Sequence, residues 1–421
     1  MKIFKFGGAS VKDAESVKNV ARVLQHEGIA NTLVVISAMA KMTNAFEVLI
    51  EAYHNRQDNL DEALTLIQDF HSNMIKGLFT NEVSEVHNKV NDLFGKLSGF
   101  LITNTSTNYN YVYDQIVGCG ELLSTVIVSE YLKEIGIENT WLDVRECIKT
   151  DTNHRDAQID WELTERNVKE RVDLKKLNIT QGFIGSNQQV TTTLGREGSD
   201  YTAGIFAYCL NADSVSIWKD VEGVLNADPR VFSETTLLRE ISYTEAIEMA
   251  FYGASVIHPK TIQPLEKRAI PLYVRSFDDL EKQGTKVSKD ALLNPLVSCF
   301  IVKKNQILIA ISTKDFSFIV ENNISQIFKK LHEYKLKVNL IQNSALSFSV
   351  CIDDKFNNFE NFYKELNEAY KIKFYKGVTL YTIRHFNEEA IEMIRKRGKS
   401  LIRQINTETA QLVIQENIQS L

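Results

Sequence analysis

The sequence predicts an α/β protein in which a mainly parallel β-sheet, sandwiched by helices, is followed by two smaller α+β modules. Up to Pro295, short apolar runs alternate with longer amphipathic stretches, which is the pattern of repeated βαβ units. All five prolines lie between Pro229 and Pro295, and 17 of the 19 glycines precede Pro295. The proline and glycine content of the chain therefore changes at this residue, and we expect a domain boundary there.

The sheet of the first part is expected to contain a first strand at residues 2–6 and buried strands at five further apolar runs. Runs of this length between polar segments are typical of strands that are covered on both faces. These five runs are residues 32–38, 138–144, 178–184, 214–218 and 270–275. Helical spacing of apolar residues predicts the intervening helices, at residues 11–26, 45–56 and 124–135, and a helical insertion at residues 55–98.

The tail is expected to form two strand–helix–strand–strand units, the order found in ferredoxin-like modules. The predicted strands are residues 308–312, 337–341, 347–352, 372–375, 377–383, 401–405 and 410–415. The predicted helices are residues 324–334, 357–369 and 387–397. A single irregular domain is the alternative to this pair of modules.

Composition excludes several classes of protein. With 421 residues, 44% hydrophobic and 24% charged, the chain has the composition of a soluble globular protein. Its net charge of −6 argues against nucleic-acid binding, and no apolar run is long enough to span a membrane. The start of the chain does not resemble a signal peptide. Five scattered cysteines without a Cys-x-x-Cys pair predict a reducing, cytoplasmic location and no metal site.

The first candidate anion site is the run Lys5-Phe6-Gly7-Gly8, where a strand passes into a helix through two glycines. Backbone N–H groups of such a turn can approach an anion at a helix N-terminus, and Lys5 could reach the same anion. The alternative is a tight turn with Lys5 as a solvated strand residue. The chain contains neither a P-loop nor a Gly-x-Gly-x-x-Gly motif.

Two further strand ends carry glycines and charges. In residues 191–203, Arg196 offers a fork for a carboxylate or phosphate, whereas Ser199 and Asp200 are equally suited to cap a helix. In residues 216–230, more charge follows the strand than a turn requires. Because ligands bind at the carboxyl ends of parallel strands, these three segments together predict an anion-binding pocket.

The segments 5–10, 193–200 and 218–230 resemble the signature motifs of aspartate kinases, and residues 37–44, 118–124 and 253–259 support the match. The resemblance implies an amino-acid-kinase catalytic domain at 1–294, with an amino-acid-binding part near 1–195 and a nucleotide-binding part near 196–294. It implies paired ACT-like regulatory and dimerisation modules at 295–421. The implied reaction transfers the γ-phosphoryl group of ATP, with Mg²⁺, to the side-chain carboxylate of L-aspartate.

The resemblance also implies roles for individual residues. Near the migrating phosphoryl group it places Lys5, Gly7, Gly8 and Asp200, with Asp200 holding Lys5. For the amino acid it places Arg196 and Ser199 at the α-carboxylate, Glu121 at the α-ammonium and Thr43 as a hydroxyl contact. For the nucleotide it implies Lys219, Asp220, Asp228 and Arg230. It implies no dedicated protein site for a metal.

Some positions depart from the family pattern. Ser255 stands where many relatives have an ATP-contacting lysine, for which Lys260 is a candidate substitute, and Asn339 stands where an aspartate is common in the effector strand. The resemblance further implies a homodimer or higher homo-oligomer and an effector amino acid at the tail, with a purely dimerising tail as the alternative. Acetylglutamate or glutamate kinase activity, or a catalytically weak amino-acid sensor, are the competing functions.

Overall fold

A computed structural model describes residues 1–80, 85–188, 190–254, 257–315 and 317–416. The chain divides into two compact units, each built from three segments. The N-terminal unit consists of Met1–Val224, Leu237–Ile247 and Val256–Asn294. The C-terminal unit consists of Leu225–Thr236, Glu248–Ser255 and Pro295–Leu421.

The strands up to the start of the tail are short and mostly buried. They are β1 Lys2–Phe6, β2 Thr32–Ile36, β3 Asn139–Leu142, β4 Leu177–Gln181, β5 Ile184–Asn187, β6 Val190–Thr193, β7 Ser214–Lys219, β8 Val224–Leu225, β9 Leu237–Leu238, β10 Glu240–Ser242, β11 Leu272–Ser276 and β12 Thr285–Ser288. Among the described residues, eight of them form one sheet in the order β10-β12-β11-β7-β1-β2-β4-β3, and β5 pairs with β6 as a hairpin. Only the β11–β12 pair of this described sheet is antiparallel, so the predicted mainly parallel sheet is confirmed.

The helices of the same part of the chain are α1 Ala14–Glu27, α2 Met42–His54, α3 Leu60–Leu78, α4 Glu85–Thr103, α5 Tyr109–Val117, α6 Cys119–Glu134, α7 Val144–Cys147, α8 Trp161–Arg171, α9 Gly198–Leu210, α10 Tyr243–Tyr252 and α11 Pro259–Lys267. Helix α1 begins three residues later than predicted because Asp13 accepts a hydrogen bond from the Ser16 N–H and caps it. Residues Gly8–Val11 form a short 3₁₀ turn instead. Helices α3 and α4 make up the predicted helical insertion.

The core of the N-terminal unit aligns the strands that carry the site. All five residues of β2 are buried, and the Trp218 ring stacks on Phe6 and meets the edge of Phe4. Each fully buried side chain of this size stabilises the fold by about 1.5–3 kcal/mol. Phe6 lies in register with Ile36 on β2 and with Trp218 on β7. The residues that follow these strands are therefore brought to the same edge of the sheet.

The C-terminal unit contains a second sheet, whose neighbouring strands are antiparallel. Its tail elements are β13 Cys299–Thr313, α12 Glu321–Glu333, β14 Lys337–Asn343, β15 Phe348–Asp353, α13 Phe359–Ala369, β16 Tyr370–Arg384, α14 Glu388–Arg395, β17 Gly398–Ile405 and β18 Thr409–Glu416. In the described residues the strand order is β14-β15-β13-β16-β18-β17. The two predicted α+β modules are thus halves of one continuous sheet.

The prediction of separate strands at 372–375 and 377–383 was wrong, because both belong to β16. This strand pairs along its length with β13, and the register shifts near Gln306. Gly377 lies between the residues that pair with Gln306 and Ile307, and its φ of +70° is one that glycine adopts without strain. The register shift is therefore accommodated by a β-bulge, so one strand continues through Gly377, where the sequence suggested a turn.

None of the helices in the described part of the chain combines the length and apolar character that crossing a membrane would require. The five cysteines, all within the described residues, form no disulfide bond, and all but Cys119 are buried.

Candidate active site

A cavity of about 500 Å³ lies in the N-terminal unit at the carboxyl ends of the sheet strands β1 and β7, beside the end of the hairpin strand β6. Such an edge of a parallel sheet is where α/β proteins bind ligands. Seven of the twelve predicted site residues line the cavity: Lys5, Thr43, Glu121, Arg196, Ser199, Asp200 and Lys219. The sheet and helices α2, α6 and α9 therefore bring together residues that lie more than 200 positions apart in the sequence, such as Lys5 and Lys219.

One end of the cavity is formed by an ion pair. Lys5 on β1 lies with its Nζ 2.6 Å from Oδ1 of Asp200, in the first turn of α9, and both side chains are at most 10% exposed. Burial alone would raise the pKa of the Asp200 carboxyl, but the charges of Lys5 and Lys219 outweigh it and hold the pKa below its usual value. Lys5 is therefore a fixed cation, not a solvated strand residue.

The two glycines after β1 leave space around this cation. A Cβ on Gly7 would come within 3.2 Å of the Lys5 Nζ, and a Cβ on Gly8 would lie 2.7 Å from the Ala40 carbonyl oxygen. The absence of side chains thus allows Lys5 to sit against the turn and lets the turn approach the segment after β2. Gly7 therefore lies beside the lysine and Gly8 beside the segment after β2, and neither is among the described residues that line the cavity.

Helix α9 begins differently from the capping alternative. Glu197, with a φ of +53°, holds the N-cap position, so Ser199 and Asp200 lie within the first turn. Ser199 packs against the backbone of Gly182, where a Cβ would lie 2.4 Å from the Ser199 Cβ. The close approach of strand and helix therefore requires glycine at 182, and it directs Ser199 and Asp200 into the cavity.

The other end of the cavity contains a buried carboxyl group. Glu121 in the first turn of α6 is 3% exposed, and its Oε1 accepts a long hydrogen bond of 3.4 Å from the Ala38 N–H. Its Oε2 has no hydrogen-bond partner among the described residues. Burial raises the pKa of Glu121 to about 8. An incoming cation would supply the partner that this carboxyl lacks.

Three more predicted residues complete the lining. Arg196 lies in the turn after β6 with an exposed side chain, and no described residue forms an ion pair with it. Thr43 is half-buried in the first turn of α2. Lys219 ends β7 on the Asp200 side, where its charge helps to lower the Asp200 pKa. The cavity therefore contains a guanidinium group that can bind an anion, and it contains a hydroxyl group in addition to the buried carboxyl.

Other residues that line the cavity were not among the predicted site residues: Ser37 and Thr193, which lie within the matching motifs, and Tyr113, Arg155 and Phe183, which do not. Tyr113 sits on α5 with an apolar spacing typical of a core helix, and its hydroxyl donates to Glu47 at 2.9 Å. Arg155 lies in an irregular loop without a recognisable motif. Since neither has a local sequence signal, only the three-dimensional arrangement identifies them.

The remaining predicted nucleotide residues are placed elsewhere. Asp220 is exposed just after β7, and Asp228 pairs with Arg230 at 2.7 Å in the C-terminal unit. Of the residues that the structure describes, these three are not among those lining the cavity. Lys260 forms an ion pair with Asp156. Ser255 lies outside the described residues.

Comparison of the amino-acid sequence with known proteins identifies similar kinases. The sequence pattern of the amino acid kinase family matches residues 1–276. Lysine-sensitive aspartokinase 3 of Escherichia coli is 33% identical over 357 residues, which cover 83% of this chain and 78% of the relative. The chloroplastic bifunctional aspartokinase/homoserine dehydrogenase 2 of Arabidopsis thaliana is 32% identical over 365 residues. The match covers 83% of this chain but 39% of that relative, so the chain spans about two fifths of the bifunctional protein.

Solved structures agree over nearly the whole chain. E. coli aspartokinase III in complex with lysine and aspartate, in its T-state, superposes with a TM-score of 0.82 at 28% identity. The same enzyme with aspartate and ADP, in its R-state, gives a TM-score of 0.79 at 27% identity. Both superpositions cover 98% of this chain and 96% of the other. The likeness therefore extends to the tail with its ACT-like sheet.

Proposed function

The chain belongs to the aspartokinases of the amino acid kinase family, and from this premise we propose that it phosphorylates L-aspartate. The reaction transfers the γ-phosphoryl group of ATP to the side-chain carboxylate, giving 4-phospho-L-aspartate and ADP. This is the activity expected of the first step in making lysine, threonine and methionine from aspartate. The E. coli relative has been solved with aspartate and ADP, which supports the choice of both substrates.

The observation that carries the proposal is the buried carboxyl of Glu121, with an unpartnered oxygen, in the same cavity as the unpaired Arg196. An α-amino acid presents an ammonium and a carboxylate on one carbon. Glu121 would accept hydrogen bonds from the ammonium, while Arg196 would bind the α-carboxylate with Ser199 nearby. Thr43 would add a hydroxyl contact. The side-chain carboxylate is then left to point toward Lys5.

At the phosphoryl end, catalysis requires positioning and charge stabilisation more than proton transfer. The aspartate carboxylate is already ionised at neutral pH and needs no general base. Lys5 would stabilise the negative charge that spreads over the transferred oxygens, and Asp200 would hold Lys5 in place. The backbone N–H groups at Gly7 and Gly8 would contact the same oxygens.

For the nucleotide, we propose Lys219, Asp220, Asp228 and Arg230 as contacts, with Lys219 at the phosphates. Mg²⁺ is usually held by one or two carboxylates together with the substrate phosphates. Asp200, a carboxylate facing the cavity beside Lys5, fits that role. The ion would neutralise phosphate charge as the γ-phosphoryl group departs.

The tail is proposed to bind an effector amino acid and to join subunits in a homodimer or higher oligomer. The E. coli relative is named lysine-sensitive, and its structure with lysine supports a site for an amino acid. We also propose residues 1–294 as the catalytic part, divided near 195, and 295–421 as the regulatory part. A cytoplasmic location, with no nucleic acid or membrane as partner, is proposed from the five described cysteines, which form no disulfide bond, and from the acidic net charge.

The test is release of ADP with aspartate, glutamate, acetylglutamate or no acceptor, with hydroxylamine added to trap the acyl phosphate. We expect turnover above background, and a trapped hydroxamate, with aspartate alone. Stimulation by glutamate or acetylglutamate instead would favour another carboxylate kinase of this fold. Background turnover with every acceptor would point to an amino-acid sensor without kinase activity. Adding lysine, threonine or methionine to the same assay identifies the effector.

A further inference from the structure

Arg155 is a second arginine in the cavity, and its guanidinium is held against aromatic rings. The guanidinium carbon lies 4.2 Å from the centre of the Tyr113 ring and 5.7 Å from that of Tyr109. An arginine stacked in this way is desolvated on one face and restricted in its rotamers, which prepares it to bind an anion. No described residue forms an ion pair with it, although it lines the cavity.

The backbone of Arg155 is fixed by a buried cluster. Its N–H donates to the fully buried Asp114 carboxylate at 3.2 Å, and Asp114 also lies 2.7 Å from His154 Nδ1 and from the Thr193 hydroxyl. The φ of Arg155 is +70°, a left-handed conformation that favours glycine. A strained, bulky residue is thus retained at a position where its side chain enters the cavity, which is typical of functional sites.

Arg155 lies on the same side of the cavity as Glu121, since both groups are close to Tyr113. The Tyr113 ring on which it stacks is close enough to both groups that the charges of Arg155 and Glu121 act on the Tyr113 pKa in opposite directions. This end contains the site proposed for the ammonium and α-carboxylate. Lys5, by contrast, is already neutralised by Asp200. An unpaired cation at the Glu121 end is therefore placed for the amino acid rather than for the phosphates.

We propose that Arg155 binds the α-carboxylate of the amino-acid substrate together with Arg196, so that the two guanidinium groups select acceptors with a free α-carboxylate. This inference rests on the proposed function and adds a specificity residue to it. A carboxylate has two oxygens and about four acceptor positions, so it can accept hydrogen bonds from two forks at once. An amide in place of the α-carboxylate loses the charge that both arginines would bind.

The experiment compares aspartate with aspartic acid α-amide, which keeps the ammonium and the phosphoryl-accepting carboxylate. The variants are Arg155→Ala and Arg155→Gly; glycine relieves the positive φ and protects the fold. We expect the KM for aspartate to rise roughly 10- to 100-fold with kcat within about threefold, the range of a charge-assisted hydrogen bond. The inhibition constant of the α-amide against aspartate should change less than threefold. Arg166→Ala, at an exposed α8 arginine outside the cavity, is the matched control.

Three results would overturn the inference. One is an unchanged KM for aspartate in both variants, and another is an equal loss of affinity for aspartate and α-amide. If the α-amide binds too weakly to measure, Arg155→Lys decides, since restored charge should recover part of the aspartate affinity; no recovery overturns the inference. Failure of the proposed function is a separate result, because the unmodified protein would then show no aspartate-dependent turnover at all.

Discussion

At one end of the cavity two opposite charges neutralise each other, while at the other end the ionisable groups have no ionic partner among the described residues. Lys5 and Asp200 form a buried ion pair before any ligand arrives. Glu121, Arg155 and Arg196 instead face the cavity without such a pair. Under the proposed function, the first end would be pre-assembled for a transition state, and the second would be completed only when a zwitterion binds.

This difference assigns separate kinetic roles to the two ends. Interactions that strengthen only in the transition state alter kcat, whereas interactions made equally in the bound substrate alter KM. Changes at the Lys5 end should therefore reduce turnover, and changes at the Glu121 end should weaken aspartate binding. The following substitutions test that division, beginning with the largest effect.

Lys5→Ala should lower kcat roughly 100- to 1,000-fold or more, because it removes the main cation on the transferred phosphoryl group. The KM for aspartate should stay within about threefold. Steady-state kinetics of hydroxamate formation measure both constants. Lys5→Arg keeps the charge and serves as the control for loss of the Asp200 pair. A large rise in KM with an unchanged kcat would contradict the division between the two ends.

Arg196→Ala should raise the KM for aspartate roughly 10- to 100-fold with a smaller effect on kcat, since a charge-assisted fork to the α-carboxylate is lost. The measurement is initial rate against aspartate concentration at saturating ATP. Arg171→Ala, which removes a surface arginine paired with Glu146, is a matched control and should leave the KM unchanged. An unchanged KM in Arg196→Ala would refute its assigned role.

The KM for aspartate should depend on pH through Glu121. With a pKa of about 8, this carboxyl is largely protonated at pH 7, and it must ionise to bind an ammonium. The KM should therefore be about tenfold higher at pH 7 than at pH 9, and should fall as the pH rises through the pKa. In Glu121→Gln the KM should be high and nearly independent of pH. The same pH dependence in that variant would assign the titration to another group.

The smallest effect concerns a cation in the C-terminal unit whose partner is neutral. Lys303 donates to the Asn339 side chain at 2.8 Å, and burial together with the Lys337 charge lowers the pKa of Lys303 to about 8. Asn339→Asp would convert this contact into an ion pair like that of Lys5. We expect the melting temperature at pH 7 to rise by about 1–4 °C. Asn343→Asp, on the same strand but exposed, is the control. An equal rise in the melting temperature of that variant would show that the contact with Lys303 is not the cause.

Local signals explain which parts of the fold and site were predictable. Alternating apolar and amphipathic runs located the parallel strands, and the Lys5-Phe6-Gly7-Gly8 and 193–200 segments carried enough glycine and charge to indicate the cavity. By contrast, Tyr113 has the spacing of a core helix, and Arg155 enters the cavity from a loop whose backbone is held by Asp114, 41 residues away. Such residues depend on long-range contacts that no sequence pattern records.

The extent of β16 was mispredicted for a related reason. In the sequence Gly377 suggests a break between two strands, but a bulge in the pairing with β13 accommodates it within one strand. The pairing of Asp228 with Arg230 is likewise a product of the folded loop. Their charges and the family resemblance suggested nucleotide contacts, and whether they bind nucleotide stays a prediction.

The division of each unit into three segments has a topological consequence: the chain passes between the units five times, at 224/225, 236/237, 247/248, 255/256 and 294/295. Ala227 and Phe232 belong to the same apolar cluster as Ile391 and Leu412. A fragment that ends at residue 294 would therefore leave these side chains without their packing partners, although Pro295 looks like a natural cleavage point. Exchange of tails between homologues, by recombination or by protein engineering, would have to carry the 225–236 and 248–255 segments along with the tail.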